Sequence, residues 1–193
     1  MNVRALLTTA MLPVLRRYFP EAEPADLGFF GGYADISSAL PKKNGLDLSH
    51  ETVYNIRTAI SIGGAPLFSD AVCEAGFLGF TLSGEALEVI AGALAAESFP
   101  MEPSPVIELG ATPECIHARL LDAAHALPEA PFKPPAGEAR AAFWHLIAAD
   151  TPSSLEIALR QTEAALDAHR RSPVFTKAAV LAMASAVSRF ISK

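Results

Sequence analysis

The 193-residue chain contains only two cysteines, Cys73 and Cys115. A pair of thiols makes no disulfide framework, and both read as small apolar residues in a reducing compartment. No apolar run approaches the roughly 18 residues of a membrane span. The stretch from Ala5 to Leu15 is apolar and follows Arg4, but Pro13 interrupts it. Arg16-Arg17 then stand where a signal peptide has its small-residue cleavage site. The stretch is therefore expected to be the first helix of a cytoplasmic protein. There is no Gly-rich phosphate loop, no Gly-x-Ser-x-Gly elbow, no internal repeat and no low-complexity segment. Acidic residues are missing from both ends. Residues 1–17 carry Arg4, Arg16 and Arg17 without an acid, and residues 170–193 carry Arg170, Arg171, Lys177, Arg189 and Lys193 without one.

What is present points to a packed protein. The chain is 51% hydrophobic and has a net charge of −6, from 15 basic and 21 acidic residues. That is enough apolar material for one compact domain or two small ones. A free-standing, non-specific nucleic-acid binder is usually basic, so the acidic total counts against that class. Local cationic patches still attract phosphate, although a solvated helix face explains the same residues.

The order of elements predicts an α+β module followed by an all-α helical bundle. Helical spacing of Val3, Leu6, Leu7, Met11 and Leu15 gives a first helix over 2–18, closed by Pro20 and Pro24. Leu27–Phe30 and Tyr33–Ala39 read as short strands around Gly31-Gly32, and Pro41–Leu46 as a loop. Ser49 is expected to cap a second helix carrying Val53, Ile56 and Ile60, which Gly63-Gly64 stops. Leu67–Ala75 and Phe77–Leu82 read as strands turning at Gly76, with Leu78, Phe80 and Leu82 on the core face. Ser83 caps a third helix through Leu87, Ile90, Ala91 and Leu94. The sheet is expected to be small and mainly antiparallel. The module is assigned to residues 1–98 and a Pro-rich linker to 99–111, with the bundle over 112–193. In the bundle, Thr112-Pro113, Thr151-Pro152 and Ser172-Pro173 each place a hydroxyl cap before a proline at a helix start. A fourth helix is expected around Glu138–Ala149.

Two segments carry a family resemblance. One is Tyr33-Ala34-Asp35-Ile36-Ser37-Ser38 together with the strand Gly76-Phe77-Leu78-Gly79-Phe80, which runs into a helix. The other is Ile116-His117-Ala118-Arg119-Leu120, on the first helix of the bundle. The first resembles the additional N-terminal domain of arginyl-tRNA synthetases, where Gly-Asp is commoner than the Ala34-Asp35 found here. The second is similar to the DALR-type anticodon-binding domain of the same enzymes. In those enzymes the first module touches the corner of the folded tRNA and the bundle engages the anticodon arm. A nucleotide-binding catalytic domain lies between them. Here Leu94–Thr112 leaves no room for it, and neither His-x-Gly-His nor a Lys-Met-Ser-Lys-like segment occurs. The resemblance thus implies a non-catalytic tRNA-binding or tRNA-associated protein with no cofactor. A protein-interaction adaptor or homodimer is the alternative, since acidic charge and alanine-rich helices suit partner docking. An enzyme using a pocket between the modules has no motif behind it.

The candidate RNA contacts are Arg119, Arg170, Arg171, Lys177, Arg189 and Lys193. Phosphate affinity grows with the number of charges neutralised. Arg170 and Arg171 are expected to precede the last helix, whose free amides favour anions. For Arg119 a structural role is favoured, such as a pair with Asp122 or a cap on a neighbouring helix. His117 reads as a packed histidine. Cys115 and His117 diverge by about 200° around a helix, so no metal site is expected there. Trp144 is expected in the core, with base stacking open only if it is exposed.

Overall fold

The computed structural model describes residues 1–29, 34–97 and 110–191. The expected Gly31-Gly32 junction, most of the Pro-rich linker and Lys193 lie outside them. Contacts gather into two units, Asn2–Val89 and Ile90–Lys193 with Met1.

In the first unit, helix α1 (Val3–Leu15) starts where the Asn2 side chain accepts from the Ala5 N–H at 3.1 Å. Pro13 lies inside it, and the helix ends two residues later. Proline removes a helical N–H and crowds the carbonyl of the preceding turn, which weakens the end of this helix. A single 3₁₀ turn at Pro24–Asp26 leads into strand β1 (Leu27–Gly28). Strand β2 (Ile36–Ser38) follows, and then a one-turn helix, α2 (Leu40–Lys43), where the sequence suggests only loop. The expected cap at Ser49 is present: its Oγ accepts from the Thr52 N–H at 3.2 Å and opens α3 (His50–Thr58).

Gly63-Gly64 does not stop that helix, which has already ended at Thr58. The two glycines, at φ +56° and +83°, form the turn of a small hairpin between β3 (Ser61–Ile62) and β4 (Ala65–Pro66). Two-residue hairpin loops of this type require positive φ at both positions, which glycine supplies without strain. Strands β5 (Phe68–Glu74) and β6 (Phe77–Leu82) form a second hairpin. Its loop, Ala75-Gly76, has φ +50° and +80°.

The sheet order is β1-β2-β6-β5, antiparallel throughout. Leu78, Phe80 and Leu82 are buried as the alternation predicts. The two segments Asp35–Ser38 and Leu78–Phe80 are neighbours in this sheet, with Ile36 opposite Phe80 and Ser38 opposite Leu78. Asp35 joins them further. Its N–H donates to the Phe80 carbonyl at 3.1 Å, and its carboxylate accepts from the Leu82 N–H at 2.8 Å. Ser83 Oγ accepts from the Ala86 N–H at 3.0 Å and so caps α4 (Gly84–Ala95).

Four helices follow: α5 (Pro113–Ala126), α6 (Gly137–Ala148), α7 (Pro152–Arg171) and α8 (Lys177–Ile191). Helix α5 packs on α8 and α7, and α6 on α7 and α8. The shared core includes Ile116, Leu120, Phe143, Ile147, Ala179, Met183 and Ala186. Thr112 and Thr151 cap their helices as expected, the latter in a reciprocal box with Ser154. Ser172 does not. Helix α7 runs through Arg171, Ser172 is its C-terminal cap, and Pro173 follows as a stop. The last helix starts five residues after Ser172, where Thr176 Oγ1 accepts from the Ala179 N–H at 3.4 Å. No helix among the described residues is long and apolar enough to cross a membrane.

Candidate functional site

The last turn of α7 carries His169, Arg170 and Arg171. Arg170 and Arg171 therefore precede α8 as expected, but they form the C-terminus of α7 and do not adjoin the N-terminus of α8. The partial negative charge of a helix C-terminus complements their cations. Both are exposed, and neither has an ion pair or hydrogen bond among the described residues.

His169, one residue earlier, is buried. Its Nδ1 accepts from the backbone N–H groups of Val174 and Phe175 at 3.0 and 3.3 Å. Its ring lies 5.6 Å from that of Phe175. An acceptor Nδ1 means a neutral imidazole with its proton on Nε2. Burial holds the His169 pKa below the usual imidazole value. This side chain shapes the corner between α7 and α8 and presents the two arginines at its edge. The sequence offers its basic neighbours as a signal but not its own role, because the amides it receives belong to the chain five and six residues on.

The other candidate cations are engaged within the bundle. Arg119 is 4% exposed. It pairs with Asp167 at 2.5 Å and Glu163 at 3.6 Å, both on α7, and not with Asp122. Its structural role is thus to tie α5 to α7. Lys177 pairs with Glu129 at 2.5 Å. Arg189 donates to the carbonyls of Ala186 at 3.2 Å, Ile147 at 3.4 Å and Met1. Burial lowers its pKa, and the Glu97 carboxylate opposes that shift.

Trp144 is 2% exposed, which removes it as a surface for base stacking. Cys115 is buried, and burial lowers the pKa of His117. Among the described residues no group of three or more His, Cys, Asp or Glu side chains gathers to hold a metal. At the same corner, a cavity of about 350 Å³ opens between α5 and the end of α7. Arg119, Asp122, Leu166, His169, Arg170 and Pro173 are among its walls. Comparison with protein-family models, with curated proteins and with solved structures gives no match.

Proposed function

We propose that this chain is a non-catalytic protein that binds a structured RNA of the transfer-RNA kind, with the corner at the end of α7 as its phosphate contact. The observation that carries this reading is the Arg170-Arg171 pair, exposed and without a partner among the described residues, on an otherwise acidic chain. The order of modules supports it: a small antiparallel α+β unit followed by a helical bundle, the order that the synthetase resemblance implies. Arginine suits the task because its planar fork meets phosphate bidentately and stays charged. The test is equilibrium binding to transfer RNA and to a generic RNA duplex at low and moderate salt. Transfer RNA is expected to bind better, and reversing both arginines to glutamate should weaken binding most at low salt. Equal binding of the two RNAs, or none at low salt, refutes the proposal.

A second reading, a protein-interaction adaptor or homodimer, is favoured by Ile157, which is 57% exposed on α7. Ala164 and Ala168 are exposed further along the same helix at near-helical spacing. Light scattering during size exclusion separates the readings. A dimer that Ile157→Lys dissociates supports the second.

A further inference from the structure

We propose that the cavity between α5 and the end of α7 is a binding site for a small organic monoanion: a carboxylate on an apolar body. This does not rest on the RNA reading: the site shares Arg170 with that corner, but its ligand and its test involve no RNA.

At about 350 Å³ the cavity is in the range of small-molecule sites. Its apolar wall includes Leu166 and Pro173, which offer hydrophobic burial to the body of a ligand. Its polar side chains divide by what they still have to give. Arg119 lines the cavity, but Asp167 and Glu163 already hold its charge, so it adds shape more than attraction. Arg170 lines it with a full charge and no partner among the described residues, and can take one carboxylate bidentately. His169 lines it with Nδ1 committed to two backbone amides. Its remaining ring nitrogen is therefore a donor in a fixed ring. A carboxylate accepts from both an arginine fork and an imidazole N–H, whereas a ligand cation gains nothing from either. Asp122, exposed and also on the wall, repels a second negative charge, as do the carboxylates on Arg119. That balance selects a singly charged anion over a phosphate ester. The buried Arg119 Nε, which has no hydrogen-bond acceptor among the described residues, marks the same wall as incompletely satisfied.

The experiment is calorimetric or NMR titration of the full chain, without RNA, using 3-phenylpropanoate, its primary amide and phenyl phosphate. The carboxylate is expected to saturate with a Kd of about 1 mM or tighter, as suits a ligand of about eleven heavy atoms. The amide should bind about tenfold more weakly, and phenyl phosphate should bind no better than the carboxylate. Arg170→Gln should cost about tenfold and Arg171→Gln less than about twofold. Both residues are exposed, so both variants are expected to fold. Ala123→Leu, which fills the cavity, should abolish binding. Absence of saturation, equal affinity for the amide, or equal losses from the two arginine variants overturns the proposal. Because no RNA is present, that failure is separate from failure of the RNA reading.

Discussion

Among single residues, His169 shows how one buried polar atom organises a corner. The two amides that it accepts lie in a turn with no helical partner for them, and a buried unpaired N–H is costly. Only the neutral imidazole can accept at Nδ1. Because burial depresses its folded pKa, the unfolded chain binds the proton more readily below about pH 6.5. The stabilisation from neutral His169 is therefore complete above that value, and is lost as pH falls through the lower folded pKa. The shift at His117 has the same sign and adds to the slope. Thermal unfolding is expected to show a falling Tm from about pH 7 to pH 5, and His169→Leu should flatten part of that decline while lowering the plateau. An unchanged slope in the variant would refute the assignment. Arg119 carries a different lesson. Its identity as a structural residue can be argued from sequence, but its partners cannot, since Glu163 and Asp167 are more than forty positions away.

For whole elements, the β5–β6 hairpin turns through two consecutive residues at positive φ, and only the first is strained by it. Ala75 is a non-glycine residue at φ +50°, which costs about 1 kcal/mol for an L side chain. Asparagine tolerates that conformation and favours the turn, so Ala75→Asn should stabilise the protein by about 0.5–1 kcal/mol. Gly76, at φ +80°, has a further constraint: a Cβ there would lie 2.9 Å from Lys42 Cβ and 3.1 Å from Lys42 Cα. The Lys42 N–H also donates to the Gly76 carbonyl at 2.9 Å, which fixes α2 against the turn. Gly76→Ala should therefore destabilise by about 2 kcal/mol or more. Urea unfolding of both variants checks the pair, and the opposite signs are the informative outcome. The caps at Ser49, Ser83, Thr112 and Thr151 were legible because a cap is a local contact between a hydroxyl and an amide three residues on. Ser172-Pro173 misleads for an equally local reason. The same dipeptide that can open a helix can also close one, and only the length of α7 decides between them.

Across the whole molecule, charge sets how strong the proposed RNA binding can be. Arg119, Lys177 and Arg189 are spent on carboxylates and carbonyls, which leaves Arg170 and Arg171 as the free candidates among the described residues. Two phosphate contacts predict a slope of log K against log salt of about −2, and a loss of about tenfold between 50 and 200 mM salt. A slope near −5 would show that the internally paired cations are released to RNA, and would overturn this division of roles. The acidic remainder of the chain keeps long-range attraction weak, so binding is expected to be modest in affinity and sharply dependent on these two side chains.

The sequence by itself determined the class of fold: helical periodicity, alternation in Phe77–Leu82 and hydroxyl caps are interactions within a few residues, readable without a partner. Tertiary structure alone decided which cations remain free and where a cavity opens. It also decided which carboxylates hold Arg119 and Lys177. Each of these depends on which distant segment packs against the residue, and neither charge nor hydropathy of a single position encodes that neighbour.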